Sequence, residues 1–231
     1  MEELLLGIDV GTTGTKAALF TLDGSLQAVG GSEYSIRHER PGWAEQDPDV
    51  FWQALCQACR GLWRQNHNYR ERLAGMAITT QRGTVINVDE NGKPLRPAIL
   101  WLDQRKTHGL PPVGGLWGGI FGIAGLSKTV AYLQAESEAN WISTYQPEVW
   151  QKTHKYLLLS GYLTYKLVGK FVDSVGCQVG YIPFDYKRLR LSARWDWKWK
   201  VLSRIDPSIM PELIPPGRIL GTISAEAAIE N

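Results

Sequence analysis

Leu4-Leu5-Leu6-Gly7-Ile8-Asp9-Val10-Gly11-Thr12-Thr13-Gly14-Thr15-Lys16, running on through Ala17 to Leu22, decides how this chain is read. Leu4 to Val10 is short, apolar and β-prone, Gly11 stops it, and Thr15 to Leu22 resumes as a second strand. Two strands joined by a tight Gly/Thr turn predict a β-hairpin at the start of a mixed sheet. The first strand delivers the Asp9 carboxylate to that turn. Glycine permits close backbone approach, so amides and threonine hydroxyls there can converge on phosphate oxygens. Lys16 adds positive charge, and Asp9 suits a hydrated Mg²⁺, which binds through few carboxylates and several waters. The Gly-Lys-Ser/Thr ending of a P-loop is absent, and a strand rather than a helix follows, so the turn is not a dinucleotide fingerprint either. A plain hairpin turn with Asp9 as a structural acceptor stands as the alternative.

Outward from this hairpin, Leu26 to Tyr34 reads as a third strand. Asp47-Pro48-Asp49 then opens a helix, with Asp47 as cap and Pro48 in the first turn. Phe51, Leu55, Ala58, Cys59 and Leu62 fall at helical spacing and predict one buried stripe. Leu73 to Thr80 is another strand, ending at Gln81-Arg82-Gly83. Thr84 to Val88 continues as strand, Asp89 to Pro94 is a turn by composition, and Ala98 to Trp101 is a short strand. The Gly- and Pro-rich stretch Gly109 to Gly125 predicts a loop. Helical patterns follow at Lys128–Ser137, Lys155–Val168 and Asp196–Ile205, and Arg218–Ile223 predicts a last strand. Ser224 can cap a helix through Glu230, and the chain stopping after about two turns looks like a cut inside a larger architecture.

The balance of the chain narrows its partners. Its 231 residues are 44% hydrophobic and 21% charged, which excludes disorder and fibrous structure. Twenty-five Lys+Arg against 23 Asp+Glu give a net charge of +2, too even to imply nucleic acid or an anionic membrane. No apolar run approaches the ~20 residues that span a bilayer, and the Met1-Glu2-Glu3 start lacks a basic n-region. Three cysteines make no disulfide scaffold. The expectation is a reduced, soluble, cytoplasmic protein.

Other constellations are weaker. Cys56-Gln57-Ala58-Cys59 falls mid-helix, where buried structural cysteines are expected rather than activated thiols. His38, His67, His108 and His154 have no metal-ligand spacing. Lys187 to Lys200 interleaves six basic residues with Trp195, Trp197 and Trp199, a pattern that can bind single-stranded nucleic acid. The even net charge favours a solvated face with packed tryptophans instead.

Several segments together resemble the FGGY family of carbohydrate kinases, within the wider actin/hexokinase/Hsp70-like ATPase superfamily. The opening turn is similar to the family's first phosphate-binding segment. Pro41-Gly42-Trp43-Ala44-Glu45-Gln46-Asp47-Pro48 resembles its helix-introducing segment, and Thr80-Gln81-Arg82-Gly83 its substrate-contact loop. Asn91 to Arg105, through Trp101-Leu102-Asp103-Gln104-Arg105, is similar to a stretch ending at the sugar site. Tyr162 to Gly169 with Asp173-Ser174 resembles the late helix and strand of the N-terminal domain. The matches run in order over nearly the whole chain.

The resemblance implies an α/β, actin-like ATPase (ribonuclease H-like) domain, its mixed β-sheet flanked by helices. Residues 1–231 would be the sugar-binding N-terminal half, with the nucleotide-binding C-terminal domain absent from the chain. ATP and Mg²⁺ are the implied cofactors: Asp9 near the metal, and Gly11, Thr12, Thr13, Gly14 and Lys16 at the phosphates. Gln81, Arg82, Trp101 and Asp103, with Arg105 beside them, would meet a sugar or polyol. The implied activity is phosphorylation of a sugar hydroxyl. Glycerol kinases carry Glu after the Arg of the substrate loop, so Gly83 argues against glycerol. The family's catalytic Asp lies in a Gly-Asp turn expected beyond Asn231, so the chain alone is expected to be inactive. A non-catalytic sugar-binding or regulatory module is the competing reading. No nucleic acid or membrane partner is expected, and a homodimer stays open.

Overall fold

The computed structural model describes residues 2–202 and 204–230. Strands β1 (Leu4–Val10), β2 (Gly14–Thr21), β3 (Leu26–Glu33) and the two-residue β4 (Glu45–Gln46) lead into helices α1 (Pro48–Gln65) and α2 (Asn68–Glu71). Next come β5 (Leu73–Thr80), β6 (Val85–Val88), β7 (Ala98–Ile99), α3 (Gly115–Ile123), α4 (Ser127–Glu136), α5 (Glu138–Tyr145) and α6 (Pro147–Lys152). The chain continues through β8 (Lys155–Leu158), α7 (Leu159–Val168), β9 (Val172–Ser174), β10 (Phe184–Asp185), β11 (Arg190–Leu191), α8 (Lys198–Val201), β12 (Glu212–Ile214) and α9 (Ala225–Glu230).

The opening hairpin forms as its sequence predicts. β1 pairs antiparallel with β2 and, on its other edge, parallel with β5, giving a mixed sheet of order β3-β2-β1-β5. Leu4, Leu6, Ile8 and Val10 face the core, so the two-residue period turns Asp9 to the open face. Helix α1 covers the buried face. Asp47 caps it by accepting the Asp49 amide at 3.0 Å, Pro48 occupies its first turn, and Phe51, Leu55, Ala58 and Leu62 pack inward.

A second sheet, β4-β7-β6-β8, is antiparallel and buried on both faces. Ile86, Val88, Ala98 and Leu157 enter the core under the first sheet and α1, whereas Val85, Ile99, Tyr156 and Leu158 enter a second core with α5 and Trp199. This small sheet is therefore the shared wall of two cores.

That double burial corrects one expected helix. Lys155 to Leu158 form β8, in register with β6, and only Leu159 to Val168 are helical. A short apolar run suits either conformation, and here the open edge of β6 decides. The expected loop at Gly109–Gly125 contains α3, because Trp117 and Phe121, four residues apart, stack at 6.0 Å, and Phe121 packs on Trp197. Asp196–Ile205 gives only the single turn α8, with Ser203 outside the described residues. Arg218–Ile223 is not a strand; β12, parallel to β9, holds the final strand position. Helices α5 and α6 were not anticipated, although Ser137 caps the first and Pro147 starts the second. The cap at Ser224 is present, its hydroxyl accepting the Ala227 amide at 3.1 Å.

The contact between sheet and helix is closest at Gly30, where a Cβ would lie 2.2 Å from the Ala58 carbonyl oxygen of α1. Gly30→Ala must push strand and helix apart and is expected to destabilise the chain by about 3 kcal/mol, read from the midpoint of urea unfolding.

Candidate functional site

Because β1 and β5 are parallel, they end together. Val10 pairs with Thr80, and the Gln81 amide donates to the Val10 carbonyl at 2.8 Å. The Gly11–Gly14 turn and the Gln81–Gly83 loop thus leave one sheet side by side, at the carboxyl ends of parallel strands where ligands of such sheets commonly sit.

The turn is held from within. The Gly11 amide donates to the Gly14 carbonyl at 2.9 Å, and the Tyr34 hydroxyl donates to the Gly11 carbonyl at 2.7 Å. Burial, and to a lesser degree the Asp9 carboxylate, push the Tyr34 hydroxyl up, keeping it a donor. The amides of Thr12 and Thr13 donate to no group among the described residues. Asp9 and Lys16 are cross-strand partners on the open face, both exposed and neither in an ion pair among the described residues. Together Asp9, Gly11, Thr12, Thr13, Gly14 and Lys16 line a cavity of about 990 Å³, whose far wall is the end of β3 and Tyr34.

A second cavity, of about 440 Å³, adjoins the first. Gln81, Arg82 and Trp101 line it with Asp9, Gly11 and Thr12, so these last three residues face both cavities. The Gln81 side-chain amide is buried with neither its nitrogen nor its oxygen bonded among the described residues, although buried amides ordinarily find partners. Arg82 is exposed and makes no ion pair or hydrogen bond among the described residues. Trp101 is 53% exposed, and its indole N–H donates to the Thr12 hydroxyl at 3.2 Å. Gly83 takes φ +69°, a left-handed conformation that disfavours any side chain, and a Cβ there would lie 3.4 Å from Trp101 Cβ.

Asp103 is placed elsewhere. Its side chain is 3% exposed and lines neither cavity. One of its oxygens accepts the Ala44 amide at 2.7 Å, and the pair of them receives Arg105 Nε and Nη2 at 2.7 and 2.6 Å. Arg105 Nη1 also reaches Glu45 at 2.9 Å, and Arg96 pairs with the same carboxylate. In the sequence, Asp103 and Arg105 were singled out only at the sugar site; Tyr34 and the pairing of these two with Glu45 and Arg96 were not. An aromatic residue at a strand end reads as core, and charges distant in sequence announce no pairing.

Among the described residues, no group of three or more His, Cys, Asp or Glu could hold a metal. Asp9 offers a single exposed carboxylate in the larger cavity, which fits an ion that keeps most of its waters. Cys56 and Cys59 are buried, and burial pushes their thiols up to about 11 and about 12, so neither is an activated nucleophile. The Lys187–Lys200 stretch divides: Trp199 is buried, Trp195 is exposed, and Arg188, Arg194 and Lys198 pair with Asp185, Asp206 and Asp196.

A mixed sheet flanked by helices, with the hairpin turn and the Gln81–Gly83 loop at one end, is the architecture of an actin-like ATPase domain. Residues 4–231 match the FGGY family of carbohydrate kinases, N-terminal domain, and the chain belongs to that family. It is 29% identical to xylulose kinase of Lactococcus lactis over 226 residues, covering 97% of this chain and 44% of that protein. It is 26% identical to glycerol kinase of Thermococcus kodakarensis, covering 98% and 45%. Among solved structures, xylulose kinase from Rhodospirillum rubrum superposes with a TM-score of 0.78 at 26% identity, over 99% of this chain and 46% of that one. The chain therefore spans less than half the length of each of these relatives.

Behind Trp101, next to Asp103 and Arg105, burial pushes the Glu138 carboxyl up to about 7 from 4.5, with Asp103 and Glu136 adding to the rise. The folded chain holds a proton that the unfolded chain has lost, so Glu138 lowers stability progressively as pH rises from 4.5 to about 7. Glu138→Gln removes that loss. Thermal melts should show the variant gaining on the unaltered chain through this window, by up to about 3 kcal/mol at pH 8.

Proposed function

We propose that this chain is the substrate-binding part of an ATP-dependent carbohydrate kinase. In this reading Gln81, Arg82 and Trp101 hold a sugar or polyol, and the Gly11–Gly14 turn receives the transferring phosphoryl group. One observation carries it: Asp9, Gly11 and Thr12 line both cavities, so a hydroxyl held in the smaller one faces phosphate oxygens held in the larger. Phosphoryl transfer needs little else from a protein than such in-line placement and neutralisation of charge.

The chemistry of each wall agrees. Gln81 offers an unmet donor and acceptor, which a hydroxyl satisfies together. Arg82 supplies unshared N–H donors, and the half-exposed Trp101 ring offers an apolar face to the C–H side of a sugar. On the phosphate side, the partnerless amides of Thr12 and Thr13 point to an anion, with Lys16 adding charge. Asp9 would hold Mg²⁺, which when bound neutralises charge on the phosphate oxygens. The relatives are named for xylulose, glycerol and gluconate, so the proposed substrate is a small polyhydroxylated carbon chain. Gly83 leaves the pocket without the carboxylate that a glycerol-type site would place there. The residue accepting the hydroxyl proton is assigned to a second half of the kinase, and turnover to the complete protein. The cytoplasm is the proposed compartment.

Calorimetric titration of a panel of D-xylulose, ribitol, D-gluconate and glycerol into the chain tests the pocket. Arg82→Ala should weaken the best binder by about ten- to a hundredfold, the loss of one or two hydrogen bonds to a charged group. Unchanged affinity in that variant would remove Arg82 from the site. ATP hydrolysis by the chain alone should stay at background in the same preparation, and robust sugar phosphorylation would show that the proton acceptor lies within these residues.

A further inference from the structure

Trp101 is the wall of the sugar pocket, yet its own ring does little to fix it. It is 53% exposed, and among the described residues the ring's one hydrogen bond goes to the Thr12 hydroxyl. The main chain that carries it is tied far more firmly. The Leu100 amide donates to the Ala44 carbonyl at 3.0 Å, the Gln104 amide to the Gly42 carbonyl at 2.7 Å, and the Ala44 amide returns a bond to the Asp103 carboxylate at 2.7 Å. The turn from Leu100 to Arg105 is thus laced onto the Gly42–Glu45 segment on both sides of Trp101.

The lacing ends on Arg105. Its guanidinium lies 3.9 Å from the Trp43 ring centroid and 4.6 Å from that of Trp141, in the corner made by two rings 87° apart. From there it forks onto Asp103 and reaches Glu45 with its remaining nitrogen. The side chains of Asp103, Arg105, Glu45 and Arg96 are all between 3% and 8% exposed. We propose that Arg105 and Asp103 are positioning residues for the sugar site: they touch no substrate, and they set the place of Trp101 through the turn that carries it. Only a planar guanidinium can fork a carboxylate, bridge to a second one and fill the aromatic corner at once. A lysine retains the charge but loses the fork, and its single ammonium cannot make all three contacts at once.

This inference rests on the sugar-site reading for its consequence in binding, but not for its structural test. The chain is labelled with 5-fluorotryptophan, and the resonance of Trp101 is assigned by its loss in Trp101→Phe. In the ligand-free chain Arg105→Lys should shift or broaden that resonance, while Leu62→Ala, a core truncation in α1 remote from the turn, should leave it in place. If Arg105→Lys does not fold, Asp103→Asn, which keeps the shape and gives up one side of the fork, carries the same expectation. For the best binder of the sugar panel, the positioning variant should raise Kd about tenfold or more, and Leu62→Ala less than about twofold. A Trp101 resonance unmoved by both Arg105→Lys and Asp103→Asn overturns the proposal, whatever those variants do to stability. If no sugar in the panel binds the unaltered chain, the site reading fails, and the ligand-free resonance still decides the positioning role.

Discussion

The two backbone segments at the heart of the site are placed by the parallel pairing of β1 with β5. Antiparallel neighbours would send their following loops to opposite ends of the sheet, whereas parallel neighbours release them side by side. With Val10 opposite Thr80 and the Gln81 amide bonded to the Val10 carbonyl, the glycine–threonine turn and the glutamine–arginine loop emerge side by side. The register also fixes which face each residue takes. A slip of one residue in β1 would bury Asp9 and expose Ile8, so the apolar pattern of the strand and the exposure of the carboxylate are one constraint.

The second sheet brings the aromatic wall to that place. β7 is only two residues long, but it lies between β4 and β6 and is buried on both faces. Its end carries Leu100 and Trp101 to the rim of the pocket, and the ionic cluster of Glu45, Arg96, Asp103 and Arg105 locks the turn behind it. Buried charges of this kind contribute little net stability against an apolar filling. What they supply here is geometry, since each oxygen and nitrogen demands a partner in one direction.

Much of this was legible in the sequence, for identifiable reasons. The hairpin, β5, α1 and its Asp47 cap follow from local patterns: two-residue alternation, a Gly-rich turn, and a proline in the first helical turn. Asp9, Gly11 to Lys16, Gln81, Arg82 and Trp101, which line the two cavities, lie in three short segments that resemble one family, whereas the β3 end and Tyr34 of the larger cavity lie outside them. Elements whose form depends on partners distant in sequence were not legible. β8 is a strand only because β6 offers an edge, and α3 forms in a glycine-rich stretch because Phe121 finds Trp197 and Trp117 the Trp195 carbonyl. Asp103 sits beside Trp101 in sequence, yet it turns inward, since Ala44 and Arg105 claim both its oxygens. Tyr34, whose hydroxyl steadies the turn, carried no local mark of that role.

The central claim is that the amides of Thr12 and Thr13 are left without internal partners so that phosphate oxygens can take them, next to a pocket for a hydroxyl. Amide chemical shifts of the assigned chain, followed during titration with inorganic triphosphate and Mg²⁺, test it most directly. The account predicts the largest shifts at Gly11 to Gly14, with Arg82 and Trp101 little affected until a sugar is added. Shifts confined to the basic Lys187–Lys200 stretch, or no movement at Thr12 and Thr13, would contradict it.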